Sequence, residues 1–236
     1  MIFYGVCIGS DEKYRRCAVP GLEFIGGLDR TMESRDNDSI FTAYNRMLDE
    51  VRGDPDLEAL VLLHEDLELR DSEFEAKLRS ALDEPDVAVA GAIGGRGVRG
   101  VRWSRADQTF GRMPDAYYGD NDYGRGSHDV DIVDGCILVL SPWAVRNLRF
   151  DQERFHGFHA YDADFCMQAR AEGKLVVTFE FDAFHHTKGG LGDAANHQAS
   201  DALFREKWGI PSDPLHRRLR DAYPIVERAK RAVLRR

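Results

Sequence analysis

Ala59-Leu60-Val61-Leu62-Leu63 is an unbroken apolar run, and it passes directly into His64-Glu65-Asp66. A strand that is apolar on both faces must be covered on both faces. The run therefore predicts a central strand of a sheet held between helices. The polar triplet then falls at the carboxyl end of that strand, the edge where open α/β sheets bind their ligands. Glu65 and Asp66 at such an edge suit a hard divalent cation, Mg²⁺ or Mn²⁺. Acidic strand ends are common, and taken alone the triplet suits an acidic turn that caps the next helix better.

Working outward, Met1–Ile8 reads as a buried strand closed by Gly9-Ser10, and Leu22–Ile25 before Gly26-Gly27 as a second strand. Asp38-Ser39 is placed to cap a helix from Ile40 to about Arg52, with Ile40, Tyr44, Met47 and Leu48 on one face. Ser72–Leu82 reads as a helix and Val87–Ala92 as a strand. Residues 94–129 are rich in glycine and aromatics and show no period. In a compact domain such a length marks a lid or a binding loop. Val130–Leu140 returns to strand character, interrupted at Asp134-Gly135. Tyr161–Gly173 then reads as a helix, Leu175–Phe181 as a strand, and His185-His186 follows. The alternation predicts an α/β fold, a three-layer α/β/α sandwich with a mostly parallel central sheet.

The 236 residues carry a net charge of −9, which argues against a nucleic-acid binder. The charge is uneven. Arg217, Arg218, Arg220, Arg228, Lys230, Arg231, Arg235 and Arg236 face only Asp221 and Glu227. Such a basic tail, over 213–236, is either a solvated helix or a peripheral contact for an anionic membrane surface. No apolar run reaches the length that spans a bilayer, and Met1–Ser10 lacks the flanks of a signal peptide. The four cysteines form no C-x-x-C pair. That argues against a thiolate zinc site and suits a reducing cytoplasm.

Three further groups carry chemistry. In Tyr161-Asp162-Ala163-Asp164 the two carboxylates lie roughly 200° apart around a helix. One can face a substrate while the other anchors the helix, or both can simply favour the helix dipole. His185-His186, after a strand and before Gly189-Gly190, offers imidazoles for Mn²⁺ or a similar metal. Asp134-Gly135-Cys136 suits a place where a sugar lies close to the main chain.

Together, Leu63–Asp66, Val133–Cys136, Phe155–Cys166 and His185-His186 before Gly189-Gly190 resemble the glycosyltransferase family 2 superfamily, in particular its small bacterial glycosyltransferase-like branch. The block Phe155–Cys166 is the most specific. The resemblance spans about residues 1–190 and implies a GT-A fold, a nucleotide-diphosphate sugar donor and a divalent metal, Mn²⁺ or Mg²⁺. It implies one domain over 1–212, with a nucleotide-binding half (1–93) and an acceptor half (94–212). By the same resemblance Asp66 looks like the metal ligand, supported by Glu65, with His64 standing where the family has an Asp. Asp162 stands at the family's catalytic base, with Tyr161 replacing the usual Glu. His186, with His185, resembles the later metal ligand. Gly9, Ser10 and Asp29 fall near the nucleobase and ribose, and Asp134 and Gly135 beside the sugar.

The implied activity is inverting transfer of a sugar to a hydroxyl of a glycan or other acceptor, in polysaccharide biosynthesis, in the cytoplasm or at the inner membrane face. Two alternatives remain open at this level. One is a non-catalytic carbohydrate- or nucleotide-binding domain on the same shell. The other is a nucleotidyltransferase, although Gly9-Ser10-Asp11-Glu12-Lys13 is too acidic for a good phosphate loop.

Overall fold

The computed structural model describes residues 1–189 and 193–211. The basic tail expected over 213–236 lies outside them, as does Gly190. In chain order the elements are β1 (Ile2–Ile8), α1 (Asp11–Arg16), α2 (Ala18–Phe24), β2 (Thr31–Arg35), α3 (Ile40–Val51), β3 (Ala59–His64), β4 (Leu67–Leu69), α4 (Phe74–Leu82), β5 (Val87–Gly91) and β6 (Ile93–Arg96). Then come β7 (Gln108–Asp115), β8 (Gly119–Asp122), β9 (His128–Val130), β10 (Ile132–Val133), β11 (Ile137–Leu140), α5 (Pro142–Asn147), α6 (Tyr161–Ala171), β12 (Leu175–Thr178), β13 (Ala183–His185) and α7 (Ala194–Trp208).

The main sheet has seven strands in the order β2-β1-β3-β11-β5-β12-β9. Strands β2, β1, β3, β5 and β12 run parallel, while β11 and β9 oppose them. The five parallel strands thus share one carboxyl edge. The fold is mixed α/β with a parallel-cored central sheet, as the sequence predicts.

The period of β3 shows why the sheet is covered twice. Leu60 and Leu62 point into a core built with α3, α5 and α6. Ala59, Val61 and Leu63 point into a second core built with α2 and α4. Successive side chains on a strand face opposite ways, so an apolar run of this kind needs both layers. Truncating one of these fully buried leucines to alanine costs about 2–5 kcal/mol. Helix α3 buries Ile40, Phe41, Tyr44, Met47, Leu48 and Val51 at helical spacing. It can lie against β1 only because Gly5 has no side chain. A Cβ there would come within 2.8 Å of Leu62 and collide with the Met47 sulfur.

Four expectations need correction. Leu22–Ile25 is not a strand. Leu22 belongs to α2, whose Ala18, Gly21 and Leu22 form one buried helical face. A short apolar run does not by itself distinguish helix from strand. Residues 94–129 are not an aperiodic loop. Strands β6, β7 and β8 join β10, β13 and β4 in a second, six-stranded sheet, and β9 edges the first. Glycines at 94, 95 and 111 within these strands hide the alternation. Val130–Leu140 is not one interrupted strand: β10 and β11 belong to different sheets, and Asp134-Gly135 is the crossing. Ser39 does stand at the start of α3, but its hydroxyl donates to the Gly157 carbonyl at 3.4 Å instead of capping the helix. The same carbonyl accepts the Ile40 N–H at 3.0 Å, tying α3 to the loop before α6.

Candidate functional site

Strand β3 delivers His64, Glu65 and Asp66 to the shared carboxyl edge, and the turn into β4 buries Asp66 to 8% exposure. Strand β13 pairs antiparallel with β4, opposing His185 to Leu67. This brings His185 Nε2 to 3.1 Å from Asp66 Oδ1. His64 Nδ1 lies 4.0 Å from the same oxygen. One ligand atom each from His64, Asp66 and His185 falls within 4.8 Å of the others, the only such cluster among the described residues.

The neighbouring His186 faces the other way. Its Nε2 lies 2.7 Å from Glu68 Oε2, and its backbone N–H donates to the Asp66 carbonyl. Adjacent residues at a strand end point to opposite faces, so only one of the pair can join Asp66.

Burial opposes ionisation of Asp66. The His185 hydrogen bond and the charges of His64, His185 and Lys13 outweigh it and hold the carboxyl below the usual range. Burial pushes His64 down, aided by His185, which favours a neutral imidazole. His185 is raised despite burial, by its bond to Asp66. Two imidazoles and a carboxylate form a mixed nitrogen and oxygen set. That set fits a divalent transition cation better than Mg²⁺, which prefers oxygen alone.

Glu65 has a different task. Its Oε2 accepts the N–H groups of Gly9 and Ser10 at 2.6 and 2.7 Å, locking the loop after β1. Those amides are thereby committed to Glu65. Lys13, at 3.4 Å from Asp66 and 3.5 Å from Glu65, places an ammonium beside both acids. In the sequence Lys13 is marked only by its place three residues beyond Ser10, at the end of Gly9-Ser10-Asp11-Glu12-Lys13.

Asp134 and Gly135 occupy the crossing between the two sheets. Asp134 accepts the Trp103 indole N–H and, at 2.8 Å, the Cys136 N–H. Gly135 is gripped on both sides by the start of α6. The Tyr161 hydroxyl donates to its carbonyl at 2.8 Å, and Asp162 Oδ2 accepts its N–H at 2.9 Å. The residue before Tyr161, Ala160, holds a left-handed φ of 72°, a conformation that costs a non-glycine residue about 1–2 kcal/mol. Burial, and then the negative charge of Asp134, push the Asp162 carboxyl up to about 7. Asp164 points away. It is buried to 1% exposure and receives Gln168, Lys207 and Trp208 of α6 and α7 at 2.8–3.0 Å.

Asp29 stands apart from all of these. It is exposed, in the turn before β2, at the amino edge of the sheet. Reading Leu22–Ile25 as the second strand puts Asp29 beyond a carboxyl end, whereas the true strand starts after it. The residues that do follow β2 are Asp36, with a left-handed φ of 54°, and Asn37, whose buried Nδ2 has no nitrogen or oxygen partner among the described residues.

The His/Asp cluster of His64, Asp66 and His185 and the buried Asp162 are thus joined, through Tyr161 and Gly135, beyond the carboxyl end of β3. Residues 6–205 match the glycosyltransferase-like family, and the chain belongs to that family. It is 34% identical over 194 residues to the streptomycin biosynthesis protein StrF of Streptomyces griseus, covering 80% of this chain and 68% of that protein. It is 26% identical over 182 residues to the ATP synthase subunits region ORF 6 protein of Fuscovulum blasticum, covering 75% and 69%. Among solved structures, A197 from STIV shares the fold with a TM-score of 0.51 at 12% identity, over 79% of this chain and 86% of that one. Among the described residues no helix is long and apolar enough to cross a membrane.

Proposed function

We propose that this protein is an inverting glycosyltransferase that moves a sugar from a nucleoside-diphosphate donor to a hydroxyl acceptor of a glycan, using a divalent cation, Mn²⁺ in preference to Mg²⁺. The observation that carries this reading is the meeting of His64, Asp66 and His185 on the sheet edge where α6 also presents Asp162.

His64, Asp66 and His185 would hold the cation. When bound, it supplies positive charge against the negative charge that grows on the departing diphosphate. Lys13 would add a second positive charge on the same side, leaving Asp66 for a phosphate oxygen. Asp36 and Asn37, at the end of β2, would meet the nucleoside, with Asn37 Nδ2 as a ready donor. Asp162 would accept the proton of the attacking hydroxyl. Its raised pKa suits a base that must take and release a proton near neutrality. With the base opposite the diphosphate, one displacement inverts the anomeric centre. The exposed Tyr117, Tyr118 and Tyr123 on the β7–β8 hairpin offer ring faces for the acceptor and a cover against water. Four free cysteines fit a cytoplasmic setting.

The test is a panel of nucleotide sugars with Mn²⁺, scored for transfer and for slow donor hydrolysis, beside thermal shifts with the matching diphosphates. Turnover of one donor, lost on removing the cation, is expected. No turnover and no Mn²⁺-dependent stabilisation by any diphosphate would point instead to a binding domain.

A further inference from the structure

We propose that Tyr161 is a positioning residue: through one hydrogen bond it sets the tautomer of His64 and so turns His64 Nδ1 into a ligand for the cation. This rests on reading His64, Asp66 and His185 as the cation site.

The number of protons available decides the tautomer. The Tyr161 hydroxyl has a single proton. It lies 2.8 Å from the Gly135 carbonyl, which can only accept, so the proton points there. His64 Nε2 lies 2.7 Å from the same hydroxyl. That contact is a hydrogen bond only if Nε2 carries the hydrogen and the hydroxyl oxygen accepts it. A neutral imidazole has one N–H. With Nε2 protonated, Nδ1 keeps its lone pair, and Nδ1 is the nitrogen on the Asp66 side, 4.0 Å from Oδ1. Metal-bound histidines are held in this way by an acceptor on their other nitrogen.

Tyr161 is itself held by its packing. Its ring packs edge-on against Phe41 and Tyr44, with centroids at 6.4 and 5.6 Å, and it is only 4% exposed. The helix that carries the proposed base thus also carries the residue that orients a ligand, on adjacent positions.

Nitrogen-15 NMR of the cation-free protein reads the tautomer of His64 directly, with His64→Ala supplying the assignment. Protonated Nε2 and bare Nδ1 are expected. In Tyr161→Phe, which keeps the ring, a tautomer mixture is expected, with Mn²⁺ affinity by EPR titration lowered about 10–100-fold. In a His64→Ala background, Tyr161→Phe should lower the affinity no further.

The proposal is overturned if wild-type His64 carries its proton on Nδ1. It is also overturned if Tyr161→Phe binds Mn²⁺ as wild type does while His64→Ala does not. A wild-type protein that binds no Mn²⁺ at all overturns the cation reading itself, and this role of Tyr161 with it. The wild-type spectrum, assigned with His64→Ala, does not depend on Tyr161→Phe, so a failure of that variant to fold does not block the test.

Discussion

His185 Nε2 lies 3.1 Å from the Asp66 carboxylate although 119 residues separate them in the chain. Pairing of β13 with β4 creates the contact, and the same pairing sends His186 to Glu68. The two histidines are neighbours in sequence and belong to different surroundings.

They should therefore differ on substitution. His185→Ala is expected to weaken Mn²⁺ binding by more than the 10–100-fold typical of losing an outer partner. His186→Ala should leave it nearly unchanged. EPR titration of free Mn²⁺ against both variants is the check, and equal losses would count against the assignment.

Asp162→Asn should reduce transfer by about 10²–10⁴-fold while the diphosphate product still binds. In the wild type the acidic limb of the pH–rate profile should fall near pH 7, because only the ionised carboxylate accepts the proton. Near-normal turnover by the Asn variant would remove Asp162 from the mechanism.

The same raised carboxyl has a consequence for stability. Folding favours protonated Asp162, so its contribution is full below the unfolded value of 3.8 and is lost as the pH rises through about 7. Asp162→Asn should thus melt higher than wild type at pH 8, and the difference should shrink towards pH 4. Melting curves across that range test the sign.

Gly135→Ala should be worse than its size suggests. The new Cβ would overlap the Tyr161 hydroxyl and approach the Asp162 Cβ to 3.0 Å. A displacement of about 1 Å at such a place can cost about 10²-fold in rate. Overpacking itself costs about 1–3 kcal/mol. A large fall in kcat with a small fall in Tm is expected, and the reverse pattern would mean that Gly135 matters only for folding.

Asp164→Ala should act on stability instead. It takes the acceptor from the Trp208 indole and leaves Lys207 with Asp151 alone. Breaking a buried pair of this kind costs about 3–5 kcal/mol. Denaturant unfolding should show that loss, with Mn²⁺ affinity unchanged in the folded fraction.

Local pattern was enough for much of this protein. The apolar runs at β1, β3 and β5, and the helical spacing in α3 and α4, are legible because burial repeats every 2 or 3.6 residues within one element. Asp66, Asp162 and the histidine pair could be proposed for the same reason, since each follows or opens such an element.

Tertiary structure decided the rest. Whether Leu22 is strand or helix, and therefore on which edge Asp29 lies, depends on what packs against it. Glycine-rich strands between residues 94 and 122 are held by partners and not by their own alternation. Which histidine meets Asp66, and that Tyr161 faces His64, follow from strands and helices about 100 residues apart in the chain. Periodicity reports which face of an element is buried; only pairing between distant elements reports what that face touches.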